Sequence, residues 1–295
     1  MTAFGFEHTA EEVTEGRDLT GRTYVVTGCN SGLGLETCRV LALRGARVVG
    51  AARTVERAQA ALEALAIDGM AVGCDLADLH AVQAAVEILR GEGPLHGIVA
   101  NAGVMAVQEL RQIEGYELQF FTNHMGHFAL VTGLVEALAE DGRVVMLSSG
   151  AHRMAPEAGI DLDNLSGEGG YEPWAAYGQS KLANLLFARS LARRFEGSQR
   201  TANSVHPGVI DTNLGRHVPN KEAMYERLKR VMKTIPQGAA TQCLVATHPA
   251  LAEVNGAYFS DNQVTPPGHP RAEDDALADA LWSRSVEIME AVMAG

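Results

Sequence analysis

Tyr177 and Lys181 stand four positions apart in Tyr177-Gly178-Gln179-Ser180-Lys181, inside a stretch, Tyr177 to Phe195, whose pattern reads as a helix. On a helix that spacing puts a phenol and an ammonium on one face, a single turn apart and within reach of one ligand. A free tyrosine ionises near pH ~10, so a phenol that exchanges protons near neutrality needs its anion stabilised, by about 1.4 kcal/mol for each unit of lowering. Lys181 is the natural source of that field. Ser149 ends the apolar run Arg143 to Ser148, on the side of an open α/β sheet where ligands bind, and its hydroxyl is placed to bond a substrate oxygen. Each feature alone is ordinary, since most Tyr-x-x-x-Lys pairs are plain helix faces and most Ser-Ser pairs are strand ends. Their conjunction with a third motif gives them meaning.

That motif is Thr27-Gly28-Cys29-Asn30-Ser31-Gly32-Leu33-Gly34, between the run Thr23 to Thr27 and a helical pattern from Glu36 to Leu43. Glycines at a strand-to-helix joint permit a tight turn and close backbone approach, and the helix N-terminus with its free N–H groups attracts a pyrophosphate. The second strand ends Ala51-Ala52-Arg53. A site selective for NAD carries an acid near this position to bond the ribose 2′-hydroxyl, whereas an arginine accommodates a 2′-phosphate. Ala52 removes the acid and Arg53 supplies the cation, so the expectation is NADP(H), with NAD(H) as the alternative if Arg53 is merely a solvated surface residue.

The elements that position these groups follow from alternation. After Arg22, short β-branched runs (Thr23–Thr27, Ala46–Ala51, Met70–Asp75, Gly97–Ala100, Arg143–Ser148, Thr201–His206, Gly256–Ser260) alternate with helical patterns (Glu36–Leu43, Val55–Ala66, His80–Leu89, Glu114–Leu138, Tyr177–Phe195, Asp275–Met293). This is the signature of βαβ units and predicts an α/β fold, a doubly wound, mostly parallel Rossmann-like sheet with helices on both faces. No Pro/Gly/Ser-rich linker interrupts residues 21–260, so one domain over 21–295 is expected, preceded by an arm at 1–20; Val264 to Pro270 reads as a rigid loop.

Composition narrows the function. The 295 residues carry 24 Lys plus Arg against 36 Asp plus Glu, a net charge of −12, which argues against nucleic-acid and anionic-membrane partners. Four scattered cysteines, Cys29, Cys38, Cys74 and Cys243, form no metal-ligand pair and suit a reducing cytoplasm. The acidic start does not read as a targeting peptide, and no run approaches the ~18 apolar residues of a membrane span. His124 and His127 lack Cys or carboxylate companions, so no metal is expected; packing or the lining of a cofactor pocket explains them better.

The motifs Thr27 to Gly34, Asp75-Leu76, Asn101-Ala102-Gly103, Thr122-Asn123-His124-Met125-Gly126, Ser148-Ser149, Tyr177 to Lys181 and Pro207-Gly208-Val209-Ile210-Asp211-Thr212 occur in the order found in the short-chain dehydrogenases/reductases, and the chain resembles that family over nearly its whole length. Asn123 to Phe128, Ser180-Lys181-Leu182-Ala183-Asn184 and Leu281-Trp282-Ser283 make it most similar to the branch of retinol dehydrogenases and the oxidoreductase domain of the WW-domain oxidoreductase. The resemblance implies that Gly28, Asn30, Ser31, Gly32, Leu33 and Gly34 form the pyrophosphate turn, that Asp75 and Leu76 flank the adenine, and that Asn101, Ala102 and Gly103 border the nicotinamide ribose. Asp75 could instead cap a turn. Pro207, Val209 and Thr212 would close over the carboxamide. It further implies a catalytic set of Asn123, Ser149, Tyr177 and Lys181. Asn123 holds a water linking Lys181 to solvent, Ser149 orients the carbonyl, and Tyr177 donates the proton, while Lys181 bonds the ribose and, with the oxidised nicotinamide, lowers the phenol.

Two features depart from the family's common pattern. Ser149 and Tyr177 lie 28 positions apart, and the loop-like residues 151–176 either cover the helix face that many members use to dimerise or wall one side of the substrate pocket, leaving monomer and homo-oligomer open. The acidic start also lacks the apolar anchor of membrane-bound retinol dehydrogenases. Substrate specificity falls to Val104–Leu110, 151–176 and an amphipathic stretch at 213–235, which reads equally as a lid or a permanently packed helix. An apolar ketone, aldehyde or secondary alcohol is expected. The alternatives are reduction of a carbon–carbon double bond on the same scaffold and a non-catalytic dinucleotide sensor.

Overall fold

A computed structural model describes residues 2–295. In chain order the elements are α1 (Ala10–Val13), β1 (Thr23–Thr27), α2 (Gly32–Leu43), β2 (Arg47–Ala52), α3 (Val55–Ala64), β3 (Met70–Gly73), α4 (Leu79–Arg90), β4 (Leu95–Ala100), β5 (Gln112–Ile113), β6 (Tyr116–Glu117), α5 (Leu118–Phe120), α6 (Gly126–Leu134), β7 (Leu138–Leu147), α7 (Pro173–Arg194), β8 (Thr201–His206), β9 (Val209–Ile210), α8 (Lys221–Leu228), β10 (Met232–Lys233), α9 (Ile235–Thr247), β11 (Tyr258–Ser260), β12 (Gln263–Val264) and α10 (Asp275–Ala294). Eight strands form one sheet in the order β12-β11-β8-β7-β4-β1-β2-β3, with every pairing parallel except β11 with β12. The strand order reverses beside β1, where β2 lies on one side and β4 on the other, which opens a crevice at the carboxyl ends of these strands.

Both sheet faces are covered, so strands such as β1 are apolar or buried throughout instead of alternating. Val25, Ile98, Val144 and Met146 point into a core shared with α4, α6, α7 and α10. Tyr24, Val26, Val99, Val145 and Leu147 point into the other core, with α2, α3 and α9. Ala10, Val13 and Leu19 are buried in that second core too, so the expected N-terminal arm lies folded against the sheet's helical layer. A capping box between Thr9 and Glu12 starts α1, and Arg44 Nη2 donates to Glu11 O at 2.8 Å.

Three expectations need correction. The pattern from Glu114 to Leu138 is not one helix: Glu114 and Gly115, both at positive φ, turn the β5–β6 hairpin, and Glu117 then accepts from the amides of Gln119 and Phe120 to start α5. One π-helical turn, Phe121–Met125, follows before α6. The strand at 258–260 is not the last, because Asp261 and Asn262, again at positive φ, turn the chain back into β12 where a rigid loop was expected. Finally α7 begins one turn earlier than Tyr177, because Glu172 caps the amide of Ala175 and Pro173 occupies the first turn.

One flank of α7 is covered by α10, while residues 151–176 pack on its first turns, where a Cβ on Gly178 would run into Ala151 O and Ala155 N and where Asp161 N donates to Gln179 Oε1 at 2.8 Å. Arg189 pairs with Asp275, Arg193 with Asp279, Arg194 stacks on Trp282 at 3.5 Å, and Leu281 is buried at 1% exposure. Truncating Leu281 leaves a cavity between the two helices, so Leu281→Ala should cost about 2–5 kcal/mol. Denaturant unfolding checks this, and a loss below half a kcal/mol would show that α10 is not part of the cooperative core.

Candidate active site

The crevice beside β1 is a cleft of about 470 Å³ that runs from Arg53 and Arg57 past the glycine turn to Ser149, Tyr177 and Lys181. Gly28 and Gly32 have φ of +69° and +53°, and a Cβ on Gly28 would sit 3.1 Å from Ala102 Cα. Ser31 is the N-cap of α2 yet makes no side-chain cap bond, so its hydroxyl and the first amides of a twelve-residue helix face the cleft unspent. Of the expected turn residues, Gly28, Asn30, Ser31, Gly32 and Leu33 line the cleft, and Gly34 does not. A Cβ on Gly34 would run into Gly28 O and Asn101 Nδ2, so this glycine serves to bring α2 against the turn and leaves the pyrophosphate to its neighbours.

The wall opposite is the loop after β4. Thr27 Oγ1 accepts from the amides of Asn101 and Ala102 at 2.9 and 3.0 Å, and Asn101 Nδ2 donates to Thr27 O at 2.8 Å. Gly103 passes between Asn123 and Lys181, where a Cβ would meet Asn123 Oδ1 at 2.9 Å and Lys181 Nζ at 3.5 Å. Asp75 and Leu76 line the adenine end expected of them, and Asp75 also accepts from Ala77 N at 3.1 Å, so lining the cleft and capping the turn coexist. Pro207, Val209 and Thr212 line the far side, with Thr212 Cγ2 lying 3.3 Å from a Cβ built on Gly32.

Tyr177 and Lys181 are each 3% exposed and reach the cleft from one face of α7. Lys181 Nζ donates to Leu147 O at 3.1 Å and Ser148 Oγ donates to Lys181 O at 2.8 Å, so the end of β7 holds the lysine by both its side chain and its main chain. Burial pushes the Tyr177 phenol up to about 12, with a hydrogen bond from Ser149 working the other way, and burial alone brings the Lys181 ammonium down to about 8. Removal from water penalises both charged forms, so each group is shifted toward its neutral state, with Lys181 Nζ 5.8 Å from the centre of the phenol ring.

Asn123 does not line the cleft, and its side chain bonds two neighbouring elements. Oδ1 accepts from Val104 N at 2.8 Å, and Nδ2 donates to Val104 O and Ser180 Oγ, each at 2.9 Å. The side chain thus clasps the loop after β4 to α7. Residues missing from the sequence reading complete the site. Arg57 and Arg216 join Arg53 at one end, and among the described residues none of the three has a carboxylate partner. Arg57 was findable, being one helical turn after Arg53; Arg216 was not, since only the path of its segment brings it there. At the other end Met154, Trp174, Met224, Tyr225 and Leu228 make an apolar wall, while of Val104–Leu110 only Val104 and Met105 reach the cleft. The stretch at 213–235 borders the cleft through Asn213, Leu214, Arg216, Met224, Tyr225 and Leu228; within α8 only Tyr225 is buried, and the parallel β9–β10 pair ties together the chain on either side of it.

The family model for short chain dehydrogenases matches residues 22–161. A chloroplastic short-chain dehydrogenase TIC 32 A of Brassica napus is 40% identical, covering 99% of this chain and 96% of its own. The chain belongs to the short-chain dehydrogenases. Human retinol dehydrogenase 12 is 37% identical, covering 92% of this chain and 87% of its own, in keeping with the resemblance to that branch. A short-chain dehydrogenase from Burkholderia cenocepacia, solved in complex with NADP, superposes with a TM-score of 0.66 at 26% identity, covering 83% of this chain and 98% of that one.

This short-chain dehydrogenase surrounds its site with neutral histidines. Burial lowers His124 to about 3 and His127 and His206 to about 4. His127 bonds Thr27 Oγ1 and Asn123 O, and His124 bonds Ser285 Oγ, so the two rings serve different partners; among the described residues no group of three metal-ligating side chains occurs. Unfolded histidines take up protons below pH ~6.5, whereas these rings resist until about pH 4. Stability is therefore full above pH ~6.5 and falls as pH drops toward 4, with a slope of up to about 1.4 kcal/mol per unit for each ring. Glu117, raised by burial, opposes this at one site against three. Denaturation series from pH 7.5 to 4.5 check the prediction, and a constant unfolding free energy across 6.5–4.5 would contradict it.

Proposed function

We propose that this short-chain dehydrogenase is an NADP(H)-dependent oxidoreductase that interconverts a carbonyl and an alcohol on an apolar ketone, aldehyde or secondary alcohol. The observation that carries the reading is the convergence of Tyr177, Lys181 and Ser149 at one end of the cleft whose other end is the glycine turn. The cradle fits a dinucleotide: the uncapped amides of α2 and the Cβ-intolerant approach at Gly28 suit a pyrophosphate. Arg53 and Arg57, with Arg216 from the stretch at 213–235, would hold a 2′-phosphate at three cations that have no carboxylate partner among the described residues. The NADP complex of the Burkholderia relative supports that choice.

Bound in this cradle, the dinucleotide supplies a hydride to a carbonyl carbon or accepts one from an alcohol carbon. The chain's own groups manage the oxygen and its proton. Ser149 Oγ donates to the substrate oxygen, and Tyr177 Oη passes its proton to that oxygen in reduction and takes it back in oxidation. A phenol held at about 12 is fully protonated near neutrality, the form that reduction uses. Lys181 faces the ribose side across Gly103 and keeps the cation next to the phenol, 5.8 Å from its ring centroid. The wall of Met154, Trp174, Met224, Tyr225 and Leu228 excludes water and accepts an apolar substrate. The four buried, unpaired thiols fit a reducing compartment such as the cytoplasm.

A panel of apolar ketones, aldehydes, enones and alcohols, followed by nicotinamide absorbance with NADPH and NADH in parallel, tests the reading. Turnover of ketones or aldehydes with NADPH is expected; turnover of enones alone would mean carbon–carbon reduction, and binding without turnover would mean a sensor. Tyr177→Phe should lower kcat about 10²–10⁴-fold with dinucleotide affinity kept, and a rate within threefold of wild type would remove Tyr177 as proton carrier. Arg53→Glu should shift the NADPH/NADH ratio of kcat/KM toward NADH by at least about tenfold, the worth of one charge-assisted bond, and an unchanged ratio would take Arg53 out of the phosphate site.

A further inference from the structure

The reaction just described uses none of the buried histidines, yet His127, at 0% exposure, sits between its two halves. Thr27 Oγ1 already accepts two amide protons, from Asn101 and Ala102, which fills both lone pairs of a hydroxyl. Its own proton must go to the remaining neighbour, His127 Nε2, at 2.9 Å. Nε2 is thereby an acceptor, and the ring proton belongs on Nδ1, which donates to Asn123 O at 2.8 Å. From Asn123 the chain continues through Nδ2 to Ser180 Oγ at 2.9 Å, and from that hydroxyl to Tyr177 O at 2.7 Å. Each link has one possible direction, and together they leave His127 one tautomer, neutral with its proton on Nδ1.

We propose that His127 is a positioning residue: its neutral, Nδ1-protonated imidazole ties Thr27 of the pyrophosphate turn to the Asn123–Ser180 bridge beneath Tyr177, so that the dinucleotide loop and the catalytic helix keep one register. The role rests on the reading of Tyr177 as proton carrier. The ring is needed because the position demands an acceptor and a donor on opposite sides of a small rigid group in a dry site. A protonated histidine or a lysine has no acceptor, an ionised carboxylate has no donor, and an apolar side chain has neither. A primary amide has both, at the cost of extra torsions, which makes glutamine the conservative replacement. Loss of the acceptor frees the Thr27 hydroxyl to turn away from the loop at 101–102, and loss of the donor releases the main chain at Asn123. The first effect reaches dinucleotide binding and the second reaches the phenol; neither touches the apolar wall of the substrate pocket.

The test compares wild type with His127→Phe and His127→Gln in the full chain. Dinucleotide Kd is measured by fluorescence titration with NADPH, and kcat and KM on a carbonyl that the panel shows to be turned over, with thermal melts alongside. His127→Phe should raise Kd and lower kcat by roughly tenfold each while KM for the carbonyl stays within about twofold, and His127→Gln should recover most of both losses. With Thr27→Val the effect of His127→Phe on Kd should be much smaller than in wild type, because the link is already cut. In the unmutated protein, nitrogen-15 correlation spectra of the imidazoles should show a ring that carries its proton on Nδ1 and that does not titrate between pH 8 and 5.5; this measurement does not depend on any variant folding. A His127→Phe protein with wild-type Kd and kcat, a glutamine variant no better than phenylalanine, or a spectrum with the proton on Nε2 each overturns the proposal. Wild type that binds no dinucleotide overturns the proposed function and this role with it, whereas wild type that turns over while His127→Phe matches it overturns the role of His127 alone.

Discussion

A single hydroxyl, Thr27 Oγ1, joins the parts of this molecule that have to meet. It ends β1, takes two amide protons from the loop after β4 and faces the ring of His127, so the turn, the loop and the helix beyond it share one atom. Because the site is dry, every one of these groups would cost free energy if left unpaired, and that cost makes the arrangement unique where looser packing would allow several. The glycines act within the same constraint. Gly34 lets α2 close on the turn and Gly103 lets the loop pass between Asn123 and Lys181, both by the absence of a Cβ.

Desolvation then sets the protonation states. Tyr177 is held protonated, Lys181 is brought to about 8, and the three core histidines stay neutral, all because charge is expensive where water is excluded. In such a site the phenol keeps its proton near neutrality, with the Ser149 hydrogen bond pulling the other way.

The cleft is also divided by chemistry. A chain with a net charge of −12 places three arginines with no carboxylate partner among the described residues at one end of it and gathers apolar side chains at the other. Arg216 and the residues Met224, Tyr225 and Leu228 come from one segment, so the same stretch of chain brings a cation to one end of the cleft and apolar side chains to the other. On the opposite side α10 occupies one flank of α7, and the loop at 151–176, itself packed on the first turns of that helix, contributes Met154 to the cleft wall.

The sequence was sufficient wherever a rule is local. Period and alternation located seven of the eight sheet strands and several of the helices that join them, though not β12 or α9, glycines at a strand-to-helix joint marked the anion turn, and a four-residue spacing put the phenol and the ammonium on one face. It failed where a residue's partner is distant along the chain. Nothing near Asn123 says that Val104 and Ser180 will bond its side chain; nothing near Gly34 says that it packs against Gly28 instead of facing the cleft; and the sign of the Tyr177 shift depends on how much protein covers it. Hydrogen-bond direction along Thr27, His127 and Asn123 belongs to this second class, because a proton's position is decided by the sum of its neighbours, and here those neighbours are brought together from three separate strands and helices.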